Sequence, residues 1–505
     1  MGMPNDGGPA ANGSGLLTDL YQLTMAYGYW RSGIHSREAA FHLAFRTAPF
    51  HGGFTVACGL SAAIEYLQNF HFDESELGYL ATIPGGEGKP LFDSPFLEYL
   101  SRLRFTCDLD AVPEGTIVFP HEPLLRVQGP ILEAQLVETA LLNFLNFQSL
   151  IATKSARICL ATQGEPVVEF GLRRAQGVDG GLTASRAAYV GGCVGTSNVL
   201  AGKLYGIPVK GTHAHSWVLA FDSELEAFAA YARALPGNST FLVDTYDSLE
   251  GVRHAVEVGK ELRQNGHELA GIRLDSGDLA FLSIEARKIL DAAGFTRATI
   301  VGSNDLDEHI IESLKQQGAK INVWGVGTKL VTAFDQPALG GVYKLSALRG
   351  PDGQWQPRIK LSEQTAKITN PGILQVRRFR TANEFVGDAI YDLASPVPAE
   401  FTIMDPLDAT RRKHFAPKLA SEELLIPVLR KGALVYTQPT LPQTRARTLQ
   451  QLDMLHPGIK RSVNPHQYPA GVEQGLHELK TKLILDARTL RKPKSEPAKT
   501  GGNPK

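Results

Sequence analysis

The sequence has little cysteine and no excess of charge. Four cysteines in 505 residues (Cys58, Cys107, Cys159 and Cys193) lie far apart, with no CxxC pair. That spacing argues against a disulfide framework or a structural zinc site and fits reduced thiols in a cytoplasmic setting. Basic and acidic residues nearly cancel, 51 against 52, so no global field recruits nucleic acid or an anionic membrane. Any anionic ligand must be caught locally. No run of eighteen apolar residues is present, which argues against a membrane span. The P-loop pattern GxxxxGK[ST] is also missing. Residues 1–15 and 491–505 are poor in apolar residues and rich in Gly, Pro, Asn or Lys, and are expected to be a disordered leader and tail. The leader has no apolar segment of the signal-peptide kind.

What the chain does have is a repeated grammar in its middle. FLVDTYD (241–247), AGIRLDSGD (270–278), ATIVGSND (298–305) and INVWGVGT (321–328) are short apolar runs that end in polar residues. After each of the first three comes an amphipathic stretch stopped by a glycine: Gly266, Gly294 and Gly318. Short apolar runs alternating with amphipathic helices predict parallel strands covered by helices. Asp or Ser ahead of each helix supplies an N-cap, and the glycine a C-cap. PVVEFGLRR (166–174), IPVKGTHAHS (207–216) and VYKLSAL (342–348) read as further strands of the set.

The expected architecture is α/β: an irregular (β/α) barrel over 151–348, inserted in an α+β domain built from 16–150 and 349–490. In the first part, TIVFPHEPLLRVQGP (116–130) reads as a β-ribbon, and the 31 residues that follow as one or two long helices. After residue 349 the sequence predicts a Gly/Pro-rich hairpin and strands at GILQVRRFR and EFVGDAIYDL.

In α/β barrels the site lies at the C-terminal ends of the strands, where the polar residues accumulate here. GVGT, with Gly325, Gly327 and Thr328, offers backbone N–H groups and a following helix to a phosphate; GxG also occurs as a plain tight turn. VGSND, with Ser303 and Asn304, repeats that chemistry. Arg273 and Asp275 alternate with apolar neighbours, so both should face the barrel mouth, with Asp244 at a neighbouring strand end. Asp275 could hold ribose hydroxyls or a water of a bound Mg²⁺, or else form an internal salt bridge with Arg273. Asp278 fits an N-cap. His213 and His215 are two apart on an extended segment, so one of them should enter the site, as base, nucleophile or ligand. Arg173 and Arg174 add a cation pair.

Taken together and in order, LLTDLYQLTM, EFGLRRAQG, GTSN, GTHAHS, GIRLDSGDL, GSNDLDE, VWGVGT and ALGGVYKL resemble the nicotinate phosphoribosyltransferase family. That resemblance implies a type II phosphoribosyltransferase fold and synthesis of nicotinate mononucleotide from nicotinate and phosphoribosyl pyrophosphate, in NAD biosynthesis. It implies coupling to ATP hydrolysis through a transient phosphohistidine, hence the ligase class, with Mg²⁺ required. The family histidine falls on His215 and leaves His213 a bystander. Nicotinate contacts fall on Tyr21, Arg173 and Thr212, and phosphoribosyl contacts on Arg273, Asp275, Ser303, Gly325 and Gly327. Tyr21 would reach a partner's site, so a homodimer with shared sites is implied. Nicotinamide-specific relatives carry Asp at the position of Ser197; a neutral side chain there favours the acid. The competing readings are nicotinamide as substrate, a Schiff-base aldolase-like barrel using Lys210 or Lys329, and a non-catalytic scaffold. Quinolinate phosphoribosyltransferase is close in chemistry, but its dicarboxylate substrate would call for a more basic site.

Overall fold

The computed structural model describes residues 13–364 and 367–489. Its centre is a six-stranded, all-parallel sheet in the spatial order Gly195–Thr196, Val167–Glu169, Val323–Val326, Thr299–Gly302, Gly271–Leu274, Thr240–Leu242. The strands are short, and one face of the sheet is wholly apolar and buried: Phe241, Ile272, Leu274, Ile300, Trp324 and Val326 are all at most 1% exposed. Helices Ser248–Gln264, Leu279–Ala292 and Glu308–Gln316 alternate with them, N-capped by the side chains of Asp247, Asp278 and Asp307. Gly266, Gly294 and Gly318 follow those helices with φ of 78°, 81° and 81°, the left-handed conformation a helix stop requires. The strands curl as half of a barrel, consistent with the irregular barrel expected from the sequence.

Two expected members of the set lie elsewhere. VYKLSAL forms Val342–Arg349, which pairs antiparallel with Glu38–Ala44 in a separate seven-stranded sheet. An apolar run specifies a strand but not the edge it joins. IPVKGTHAHS contributes a single parallel bridge, Val209 to Thr196, and then runs as irregular chain to His215.

The seven-stranded sheet draws Glu38–Ala44, Asp108–Ala111 and Pro123–Pro130 from the first part, then Val342–Arg349, Trp355–Pro357, Ile426–Arg430 and Ala433–Leu434. The expected ribbon over 116–130 divides between sheets: Ile117–Val118 pairs with Thr55–Val56, whereas Pro123–Pro130 lies between Glu38–Ala44 and Asp108–Ala111. Nor do the strands after residue 370 simply complete that sheet. Leu374–Arg380, Phe385–Asp392 and four others build a second six-stranded sheet. It is joined to the first through Leu374, whose N–H donates to buried His42 Nε2 and whose carbonyl accepts from Arg126 Nη1. Two helices, Ile131–Leu136 and the 24-residue Glu138–Ala161, carry the chain from the first sheet to the parallel one.

Of the expected leader, residues 1–12 lie outside the described residues, as do residue 490 and all of the expected tail, 491–505. Gly13 and Gly15 are tied by backbone hydrogen bonds to His71, so the last part of the leader is fixed to the domain.

Candidate active site

Each parallel strand is followed at its C-terminal end by a turn carrying polar side chains, and Arg273 connects two of these turns to the irregular 207–215 segment. Its Nε donates to Ser303 Oγ at 2.8 Å, Nη1 to Thr212 Oγ1 at 3.2 Å and Nη2 to Asp275 Oδ1 at 2.9 Å. Ser303 Oγ donates to the same Asp275 oxygen. Arg273 and Asp275 therefore point to one side of the strand, as the alternation predicts. The internal salt bridge and the placement at the mouth hold together. Beneath the guanidinium lies the ring of Phe170, its centroid 5.3 Å away.

His215 begins the short helix His215–Val218. Its Nδ1 is 3.2 Å from Thr245 Oγ1, and its Nε2 lies 3.9 Å from Asp275 Oδ2, with 42% of the side chain exposed. His213 is buried. Its Nε2 accepts the Leu242 N–H at 3.2 Å, and its ring packs on Tyr231, Phe228 and Phe241. Burial, more than the nearby Arg273 and His215, lowers its pKa and keeps it a neutral acceptor. Of the two histidines, only His215 faces the mouth.

Asp244 supports Asp275 from the adjacent strand: its Oδ2 accepts the Asp275 N–H at 2.9 Å and the Ser276 hydroxyl at 2.6 Å. Its other oxygen, Oδ1, is buried and has no hydrogen-bond partner. Asp278 caps its helix through Phe281 N–H at 3.0 Å and contributes nothing to the mouth.

Glu169, fully buried at the end of its strand, ties two motifs together. It accepts from Ser185 Oγ at 2.8 Å, from Thr196 Oγ1 at 2.5 Å and from the Gly171 N–H. Its carbonyl receives the Ser197 N–H at 2.9 Å. The GTSN turn, and Ser197 with it, is thereby fixed against the FGLRR turn. Arg173 and Arg174, in the single turn Leu172–Arg174, are exposed, and neither guanidinium makes a hydrogen bond or ion pair with any described residue. Two guanidinium groups without a side-chain partner, on a chain of near-zero net charge, are chemically suited to hold an anion.

The two glycine turns differ from expectation in one respect. The helix after GVGT, Thr328–Val331, has four residues, too few for an appreciable dipole. The helix after GSND is already capped by the Asp307 carboxylate. An anion at these turns would meet backbone amides and neighbouring side chains and no helix dipole. Gly325 is required by packing: a Cβ there would sit 2.5 Å from the Phe170 ring. Asn304, exposed, has φ of 98°.

Tyr21 makes no hydrogen bond or ring contact with the residues of this mouth within one chain. It is half exposed on helix Leu20–Arg31, and burial, followed by the charges of Glu138 and Asp19, raises its pKa. Sequence reasoning missed Glu169, Phe170 and Thr245. The one available signal was a glutamate ending an apolar strand inside EFGLRR, which reads equally well as a solvated strand end.

Models of the nicotinate phosphoribosyltransferase family match residues 16–146 (N-terminal domain), 166–355 (the family proper) and 375–480 (C-terminal domain). The chain is 45% identical over 481 residues to nicotinate phosphoribosyltransferase of Bacillus subtilis, covering 93% of this chain and 96% of the relative. It is 36% identical to the Homo sapiens protein of the same name, covering 93% and 96% of the two chains. The crystal structure of human nicotinic acid phosphoribosyltransferase superposes with a TM-score of 0.80 at 35% identity, covering 92% of this chain and 99% of that one. A nicotinate-nucleotide pyrophosphorylase from Pyrococcus furiosus shares the fold, with a TM-score of 0.68 at 22% identity over 89% of this chain and 98% of its own.

Proposed function

The chain belongs to the nicotinate phosphoribosyltransferase family, and from that membership we propose how its strand-tip residues carry out the family reaction. The pyridine nitrogen of nicotinate attacks C1 of phosphoribosyl pyrophosphate. The N–C1 bond forms, the C1–O bond to pyrophosphate breaks, and both electrons of that bond leave with the pyrophosphate. The pyridine lone pair is free at neutral pH, so no general base is needed. Catalysis lies in orientation and in stabilising charge.

The observation that carries this reading is the Arg273–Asp275–Ser303–Thr212 network with His215 beside it, at the tips of adjacent parallel strands. Asp275 faces the positive charge that develops on the ribose. Arg173, unpaired, meets the nicotinate carboxylate, and neutral Ser197 does not repel it. Thr212 and the Phe170 ring supply a hydroxyl and an aromatic face to the pyridine. Ser303, Asn304, Gly325, Gly327 and Thr328 offer hydroxyl, amide and backbone N–H groups to the phosphoribosyl half.

Among the described residues, no group of three or more His, Cys, Asp or Glu side chains is placed to hold a metal ion. Mg²⁺ commonly binds through one or two carboxylates, with the remaining ligands from substrate phosphates and water. Asp275 and Asp244, whose Oδ1 has no partner, fit that role. Bound there, Mg²⁺ would offset negative charge on the leaving pyrophosphate.

ATP coupling through phosphorylated His215, a homodimer in which Tyr21 completes the partner's mouth, and a cytoplasmic location belong to the same reading. A phosphoryl group on His215 would introduce a dianion next to Asp275 and among the arginines, altering pyrophosphate affinity. Among the described residues, no helix is long and apolar enough to cross a membrane. The aldolase-like alternative is not favoured: Lys329 Nζ is engaged by Asp307 Oδ2 at 2.6 Å, unsuited to forming a Schiff base. The deciding experiment incubates the protein with nicotinate, phosphoribosyl pyrophosphate, Mg²⁺ and ATP and follows nicotinate mononucleotide and ADP. Absence of the mononucleotide would refute the proposal.

A further inference from the structure

An ion pair joins the turns that end two adjacent parallel strands. Lys329 Nζ lies 2.6 Å from Asp307 Oδ2, linking the chain after Val323–Val326 to the chain after Thr299–Gly302. The pair is sheltered, with 20% and 7% of the two side chains exposed. Asp307 Oδ1 meanwhile accepts the Ile310 N–H at 2.8 Å. Burial alone would raise the pKa of Asp307; Lys329 and the Ile310 N–H outweigh it and hold the carboxyl below its ordinary value.

The next residue reaches in the opposite direction. Glu308 binds Arg157 Nε at 2.8 Å and Lys154 Nζ at 2.7 Å on the long helix Glu138–Ala161, all three side chains being at most 3% exposed. The Phe50 ring covers both cations, 4.9 Å from Lys154 Nζ and 5.8 Å from Arg157 Cζ. Two consecutive acids thus fix the start of one helix from two sides.

Just before them, Asn304 and Asp305 have φ of 98° and 31°, two non-glycine residues in succession with positive φ. Such strain persists only where surrounding contacts over-determine the backbone. Relaxation of this turn would displace its neighbour Ser303, whose hydroxyl bonds Arg273 and Asp275.

We infer that Lys329 is a positioning residue for the phosphoribosyl half of the site, acting through Asp307 to hold the strained Asn304–Asp305 turn and Ser303 in their working geometry. This rests on the reaction proposed above, because it assumes that the turn reads a phosphoribosyl group. The rival role for Lys329 is direct contact with a substrate phosphate. The two differ in how Asp307 behaves: a positioning lysine needs its partner, whereas a phosphate-binding lysine would be released by losing it.

The test is a double-mutant cycle on the full chain with Lys329→Met, Asp307→Asn and the pair together. Asparagine retains the N-cap, so folding is preserved in that variant. Each single variant should raise KM for phosphoribosyl pyrophosphate on the order of tenfold, with KM for nicotinate unchanged, and the double variant should be no worse than the worse single. Lys329→Arg should recover most of the loss. Equilibrium binding of phosphoribosyl pyrophosphate by calorimetry should show the same pattern without turnover. Unchanged binding in Lys329→Met, or a loss confined to Lys329→Met and absent from Asp307→Asn, would overturn the inference and leave the proposed reaction standing. Wild-type protein that binds no phosphoribosyl pyrophosphate would overturn both.

Discussion

Arg273 and Asp275, on the same side of one strand, close a ring with Ser303: Arg273 donates to Asp275 Oδ1 at 2.9 Å and to Ser303 Oγ at 2.8 Å, and the Ser303 hydroxyl donates back to that Asp275 oxygen. The ring keeps a carboxylate and a guanidinium side by side, each limiting the other's motion, and leaves Asp275 Oδ2 facing His215. Asp275→Asn keeps the shape but removes the charge that opposes the developing positive ribose. We expect kcat to fall by about 10²- to 10³-fold, the scale of losing one well-placed electrostatic group. Arg273→Lys should also be severe. An ammonium cannot span Thr212, Asp275 and Ser303 at once, and a loss of about 100-fold in kcat/KM is expected. Steady-state kinetics on both variants checks the pair; near-wild-type turnover in Asp275→Asn would remove the carboxylate from the chemistry.

His215 holds Thr245 through one ring nitrogen and approaches Asp275 with the other. In the proposed reaction it would receive the phosphoryl group of ATP and is not needed to take a proton from nicotinate. His215→Ala should therefore abolish ADP formation coupled to turnover while leaving slow, ATP-independent synthesis of the mononucleotide. Measuring ADP and mononucleotide in one assay decides it, and ATP coupling that survives the substitution would clear His215 of the role.

In the proposed reaction substrate choice turns on Ser197, whose N–H donates to the Glu169 carbonyl at the start of the chain that leads to Arg173. A carboxylate there would repel nicotinate and accept from the amide of nicotinamide. For Ser197→Asp, KM for nicotinate should rise about tenfold or more, with nicotinamide turnover becoming detectable. Comparing the two substrates on the variant gives the answer.

These residues were legible in the sequence to different degrees, for physical reasons. Asp247, Asp278 and Asp307 were readable as caps because capping is local: the carboxylate, the first-turn N–H and the terminating glycine lie within one short stretch. Arg273 and Asp275 followed from strand alternation, which is equally local. The sheet joined by Val342–Arg349 was not legible, because strand pairing depends on distant partners and an apolar run fits either sheet. Glu169 was missed for a related reason. Its burial is made tolerable by Ser185 and Thr196, which lie 16 and 27 residues away along the chain.

A second buried carboxylate makes a prediction about stability. Glu122 is fully buried against Asp388, Arg378 and Tyr468, and one of its oxygens, Oε1, has no hydrogen-bond partner. Burial first, then the Asp388 charge, raise its pKa well above the ordinary value, while Arg378 offsets only part of this. The folded state therefore holds a proton that the unfolded chain releases near pH 4.3, the usual value for glutamate. The associated stability is complete below about pH 4.3 and is lost as pH rises through the folded pKa. Glu122→Gln keeps the neutral form at every pH. Its urea midpoint should decline less than that of the wild type between pH 5 and pH 8; parallel curves would show that Glu122 is ionised in the fold.

Tyr21, on the first helix, interacts with Glu138 and Asp19 and not with Arg173, and its proposed assignment to nicotinate supposes a second copy. Shared sites have a numerical signature that separate sites lack. If each mouth takes Arg173 from one subunit and Tyr21 from the other, Tyr21→Ala and Arg173→Ala homodimers are both impaired at every site. In a mixed dimer, both defects fall in one mouth and the other mouth is intact. Random reassortment of equal amounts makes half the dimers mixed, so activity should recover to about a quarter of wild type. A monomer, or a dimer with self-contained mouths, would show no recovery above the mean of the two variants. The assay needs only unfolding and refolding of the variants together and apart, with size measured by light scattering.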